Sequence, residues 1–153
     1  MIKSLIGWYM RRSLPAIKYT GGVLTVGQMV GILTPFINNP ARLDSQGSTY
    51  KAIRRDWILE THDYFNSWLQ VLDLGHYRYE WQCNNYAESW WMFVQVCHAQ
   101  QNKAGSELPA CGYLKHLNPG HACNFVITEQ GFEVWDSILG FVPWNTETYD
   151  IRF

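Results

Sequence analysis

Cys83 and His121 are the residues whose types and surroundings best suit covalent chemistry. Cys83 opens the run Cys83-Asn84-Asn85-Tyr86-Ala87, and His121 opens His121-Ala122-Cys123-Asn124 just after Gly120. Only the thiolate of a cysteine attacks well, and a free thiol ionises near about 8.5. A helix start offers unpaired N–H groups and partial positive charge, which favour the anion. A neighbouring imidazole can act as its base if a third group fixes the ring. Asp136, on the strand expected after His121, is preferred for that role over Glu133. A developing oxyanion needs N–H donors, and the Cys83 amide with the side chains of Gln82, Asn84 or Asn85 could supply them. Each of those three polar side chains could instead cap the helix.

The other thiols read as small core residues. Cys97 and Cys111 lie in apolar runs, where a cysteine is usually packed. Cys123 shares a strand face with His121, but a strand interior gives its thiol no dipole support. A zinc site built from His116, His121 and Cys123, with Cys83 or Cys97 as fourth ligand, was the competing use of the same atoms. Structural zinc ligands come in pairs at short fixed gaps, and the chain has no CxxC pair. No metal and no cofactor are therefore expected.

These side chains must be held by particular elements. The pattern Tyr86, Ala87, Trp90, Trp91, Val94, Cys97 predicts an amphipathic helix from Cys83 to about Gln101. Three strand-like runs follow, at 109–115, 121–128 and 132–139, and Glu129-Gln130-Gly131 is a hairpin turn between the last two. Phe141 to Phe153 reads as a further strand or ordered wrap. Upstream, residues 49–74 read as one long helix or two, with Ile53, Trp57, Tyr64, Trp68, Leu69 and Leu72 near a helical period and Gly75 as the stop. Residues 1–19 suggest a short helix carrying Leu5, Trp8, Tyr9 and Arg12, with Pro15 as breaker. Residues 20–37 are mixed and Gly-rich, and 38–48 are loop material.

Composition narrows the class. The 153 residues suit one domain, and 47% hydrophobic content supplies a core. Net charge is −1, which argues against a nucleic-acid binder. The basic cluster Lys51, Arg54, Arg55 is matched by Asp56 and Glu60, as on a solvated helix face. Gly21 to Ile37 is too interrupted to span a bilayer. No signal peptide is evident at the N-terminus, so a reducing compartment is expected.

The pattern Tyr-x-x-x-Cys-Asn-Asn-Tyr-Ala, then Gly-His-Ala-x-Asn, then an acidic residue on the next strand, resembles the papain-like domain at the C-terminus of the Marasmius oreades agglutinin. That MOA-related group also occurs in bacteriophage genomes. The resemblance runs from about Tyr77 to Gly140. It implies a Cys–His–carboxylate thiol peptidase, with Cys83 as nucleophile, His121 as base and Asp136 as orienting acid. The family more often has Glu at the last position, and it has acidic residues around the nucleophile where this chain has Gln82, Asn84 and Asn85. Without those charges, hard-cation affinity drops, and the family's calcium is not carried over. Gln-Cys before an aromatic-Ala helix also resembles CHAP amidase/peptidase domains, although those place Cys and His further apart.

The expectation is an α+β chain of papain-like fold, with its nucleophile helix packed on a small antiparallel sheet. Residues 1–48 form an N-terminal extension suited to docking, and 49–153 form the domain. Its expected function is hydrolysis of a peptide or isopeptide bond in a protein or peptide substrate. It would act as a phage protein in the host cytoplasm or on the virion. A CHAP-like peptidoglycan hydrolase is the nearer alternative. A non-catalytic virion or host-interaction protein that keeps the fold, with a virion or host protein as partner, is the other.

Overall fold

A computed structural model of the protein describes residues 14–36, 43–45, 47–74, 82–101, 107–116, 120–143 and 148–153. The helix expected near Leu5 to Arg12, the stop at Gly75 and the lead-in at 76–81 lie outside these residues.

The chain is α+β. Strand β1 (Tyr19–Thr25) runs into helix α1 (Val26–Leu33) and a 3-10 turn (Thr34–Phe36). Thr25 starts α1 with a capping box: its hydroxyl accepts the Gln28 N–H, and the Gln28 side chain accepts the Thr25 N–H. Short β2 (Leu43–Asp44) precedes β3 (Thr49–Ile53) and helix α2 (Arg55–Val71). Helix α3 (Cys83–Gln101) follows. The second half is β4 (Leu108–Pro109), β5 (Cys111–His116), β6 (His121–Thr128), β7 (Gly131–Asp136), β8 (Gly140–Val142) and β9 (Thr148–Arg152).

One expected helical stretch is corrected. Residues 49–53 form a strand, not the first turns of a helix. Tyr50, Ala52 and Ile53 are buried there, and β3 pairs antiparallel with β1 and parallel with β4. Pairing on both edges outweighs the weak helical period that Ile53 contributed. The α2 stop also differs from expectation. Asp73 takes a left-handed φ of 59°, its N–H reaches the Gln70 carbonyl at 2.9 Å, and the Leu74 N–H reaches the Leu69 carbonyl at 2.8 Å. This is a Schellman closure with aspartate where glycine is more usual.

The described strands form a three-stranded sheet, β1-β3-β4, and a six-stranded sheet, β2-β9-β5-β6-β7-β8. The second is antiparallel apart from the β2–β9 pair. Its two faces carry different cores, because successive side chains alternate. Cys111, Val126 and Trp135 pack against the α2 and α3 residues Trp57, Phe65, Trp90, Phe93 and Val94. Leu114, Cys123, Phe125, Val134 and Ile151 pack on the other side with Met29 and Leu33 of α1. Ile17, Met29 and Leu33 thus lie in the same cores as the sheet.

The β6–β7 hairpin closes with Thr128 opposite Gly131, and Gly131 has a φ of 96° that disfavours other residues. Arg55 ties α2 to this hairpin: its Nε donates to Glu133 at 2.8 Å, and its backbone N–H donates to Glu129 at 3.1 Å. No helix among the described residues is long and apolar enough to cross a membrane.

Candidate functional site

Helix α3 begins as the sequence predicts, and its first turn is well capped. The Asn85 side-chain oxygen accepts the Gln82 N–H at 3.1 Å, while the Gln82 carbonyl accepts the Asn85 and Tyr86 N–H groups. Asn85 is therefore committed to the cap. The Asn84 side-chain oxygen accepts the Tyr113 hydroxyl at 3.2 Å and faces the Cys83 thiol at 3.9 Å. Of the three side chains considered for an oxyanion, Gln82 and Asn84 are exposed and Asn85 half-buried.

His121 and Asp136 are brought together. His121 Nε2 lies 2.7 Å from a carboxylate oxygen of Asp136. The other oxygen of that buried carboxylate accepts the Ile138 and Leu139 amides at 2.8 and 3.0 Å. The tight β7–β8 turn thus fixes the acid, and the acid fixes the ring. Cys83 is placed differently. It packs against the small buried cluster of Ala87, Tyr113 and Ala122. Strand alternation assigns Ala122 and Asn124 to one pleat face, and His121, Cys123 and Asp136 to the other. Among the described residues the thiol's hydrogen bond goes to Asn84, and none joins it to His121.

The remaining thiols are free and buried. Burial pushes Cys97 up to about 12 and Cys123 likewise to about 12. Loss of hydration also drives fully enclosed Cys111 well above the ordinary thiol value. Among the described residues no group of three or more His, Cys, Asp or Glu side chains could hold a metal ion.

Beside Cys83 lies a cleft that sequence reasoning missed. It has a volume of about 240 Å³ and is lined by Glu88, Trp91 and Met92 of α3, Tyr113 of β5 and Arg152 of β9. Glu88, Trp91 and Met92 are a helical i, i+3, i+4 set, which was legible in principle. Tyr113 and Arg152 meet because β5 and β9 pair in a register that sets them directly opposite. The Arg152 guanidinium carbon stands 6.0 Å from the Tyr113 ring centre, and Lys115 Nζ stands 5.5 Å from it. Gly112 makes this approach feasible, since a Cβ there would sit 2.0 Å from the Arg152 carbonyl oxygen.

Asn124 locks the helix to the sheet behind the cleft. Its buried amide donates to the Ala87 carbonyl at 2.9 Å and to the Gly112 carbonyl at 3.1 Å. One side-chain amide thus spans α3 and β5. Tyr113 links the two regions, since it lines the cleft and its hydroxyl donates to Asn84.

No protein-family model and no curated protein matches the chain. Solved structures do. One is the PSL1a–E64 complex, at 18% identity and a TM-score of 0.68, covering 86% of this chain and 50% of that one. Another is the Polyporus squamosus lectin bound to the human-type influenza-binding epitope Neu5Acα2-6Galβ1-4GlcNAc, at 19% identity and a TM-score of 0.59, covering 86% and 49%. The fold is one that occurs in a lectin. This chain spans about half the length of the lectin chains it matches.

Two expectations are corrected on this ground. The thiol hydrolase, as peptidase or as CHAP-like amidase, is overturned by the lectin identity of the matched structures. A protein or peptide substrate is likewise unsupported, and the matched structures are lectins of a fungus rather than phage proteins. The likeness to an agglutinin-related group is kept at the level of fold.

Proposed function

We propose that this chain is a non-catalytic carbohydrate-binding module whose ligand occupies the cleft between α3 and the β5–β9 pair. The observation that carries this reading is the lining of the cleft. It sets the Trp91 indole beside the Glu88 carboxylate and the Arg152 guanidinium, over the buried Tyr113 ring, in about 240 Å³. A sugar ring has flat C–H faces and a rim of hydroxyls. Aromatic walls suit the faces, and a few polar groups placed among apolar ones fix orientation. The lectin of similar fold, described with a sialylated trisaccharide bound, supports the same ligand class.

In this reading Cys83, His121 and Asp136 serve as structural groups rather than as reacting ones. Asn84 accepts the hydroxyl of the lining residue Tyr113, and Asp136 holds His121 in a fixed orientation. In the same reading the scaffold is the papain-like layout of the MOA-related group, a helix start packed on an antiparallel sheet, employed for recognition. Residues 1–48 act as an extension of that scaffold.

The test is titration calorimetry of the full chain against a panel of neutral and sialylated oligosaccharides, repeated with Trp91→Ala. Saturable binding that weakens at least about tenfold in the variant is expected, in line with loss of an aromatic anchor. Absence of binding across the whole panel, in protein whose folding is verified by circular dichroism, would overturn the reading.

A further inference from the structure

The last turn of α3 grips the start of β1 with two side chains, His98 and Gln101, that share one helix face. His98 Nδ1 lies 2.6 Å from the Tyr19 hydroxyl, and the two rings meet edge to face. The Gln101 amide donates to the Ile17 carbonyl at 3.2 Å. Past Tyr19 the strand is held more loosely. β1 is an edge of its sheet, and its pairing with β3 breaks register between Tyr19 and Val23. Gly21, Gly22 and Val23 are exposed, and both glycines have open space where a side chain would go. Helix α1, which follows, is anchored separately by Met29 and Leu33 in the second core.

Burial keeps the Tyr19 phenol well above its ordinary range, so the hydroxyl retains its proton and donates to His98 Nδ1. His98 is 6% exposed. Loss of hydration, and then Lys51, disfavour its charged form, with Glu107 opposing. Lys51 Nζ stands 6.0 Å from the Tyr19 ring centre, and Glu107 is already 3.8 Å from Lys51. The thiols of Cys97 on α3 and Cys111 on β5 are kept neutral by burial and offer no countercharge. We infer that the Tyr19–His98 bond is an acid-released clasp: when His98 takes a proton, Nδ1 turns from acceptor to donor, and Tyr19–Val23 lifts from α3 while the six-stranded sheet stays folded. In the open form the imidazolium is hydrated, so the open form binds the proton more readily and acid favours it. The inference does not depend on what the cleft binds.

Amide hydrogen exchange of the full chain, read residue by residue by NMR and corrected for intrinsic chemistry, tests this at about pH 7.5 and about pH 5. An open-form imidazole that titrates near about 6.5 sets a ceiling of about thirtyfold on the gain in opening at the lower pH. A loss of protection of at least about fivefold is expected at Tyr19–Val23, over and above any change in the β5 and β6 amides. His98→Gln should abolish that step. Tyr19→Phe keeps the ring and removes the hydroxyl, so it should loosen the same amides already at the higher pH. The parent comparison needs no variant, so it decides the matter even if a substitution disturbs folding. Equal change in β1 and in β5 and β6 would mean that the whole fold opens together, and would overturn the inference. So would unchanged protection in β1, a step that survives His98→Gln, or a Tyr19→Phe chain as protected as the parent.

Discussion

Replacing Gly112 by alanine should damage both stability and the cleft, through one methyl group. A Cβ at this position would stand 2.0 Å from the Arg152 carbonyl oxygen, 2.9 Å from the Arg152 carbonyl carbon and 2.7 Å from a Phe125 ring carbon. Two of these three neighbours are backbone atoms of β9, which cannot rotate aside. The Phe125 ring is fully buried between β6 and the second core, so it has little room to yield. The strand must move outward by an ångström or more. Overpacking of this sort costs about 1–3 kcal/mol, with backbone displacement at the upper end. Taking about 3 kcal/mol and a urea slope of about 2 kcal/mol/M, the unfolding midpoint should fall by roughly 1.5 M. The assay is urea unfolding followed by tryptophan fluorescence, which Trp90 and Trp135 in the core make sensitive. Because β9 carries Arg152, oligosaccharide affinity should fall in the same variant. A midpoint within 0.3 M (about 0.6 kcal/mol at that slope) of the parent's would refute the claim that β9 lies this close to β5.

Further outcomes follow from other contacts. Asp136→Ala removes the acceptor shared by His121 and by the Ile138 and Leu139 amides; it should cost roughly 2–4 kcal/mol in the same unfolding assay, whereas a loss below about 0.5 kcal/mol would show that the turn does not depend on it. Under native conditions a chromogenic disulfide reagent should modify Cys83 alone, because burial raises the other three thiols and shields them; rapid modification of more than one thiol would contradict the core packing. His98, buried and hydrogen-bonded to the Tyr19 hydroxyl at 2.6 Å, is held below the ordinary imidazole value by loss of hydration and by Lys51, with Glu107 opposing. Its proton is therefore taken up by the unfolded chain first, so stability should fall as pH drops below about 6.5 and recover above it. His98→Gln should flatten that part of the profile, and an unchanged slope in the variant would remove His98 as its source.

Helix α3 and the hairpin of β6 and β7 were legible in the sequence because their signals are local. Tyr86, Trp90, Val94 and Cys97 repeat at helical spacing, and Gly131 marks a turn that few other residues could make. The closeness of His121 to Asp136 was also within reach, since a short hairpin pairs residues nearly symmetric about its turn. Strand β3 was misread because Thr49 to Ile53 carries no strong local signal of its own. Its state is set by β1 and β4, which lie far away in the chain.

The sequence by itself determined where chemistry-bearing side chains sit along each element, since 3.6-residue and two-residue periods are properties of the backbone. Only the tertiary structure decided which of them meet. Packing of α3 on the sheet put Cys83 against the Ala87, Tyr113 and Ala122 cluster, and the β7–β8 turn held Asp136 against His121. The pairing of β9 with β5 brought Arg152 to Tyr113 across a long stretch of chain. Such a register depends on burying one face of each strand at once, and no stretch of neighbouring residues encodes it.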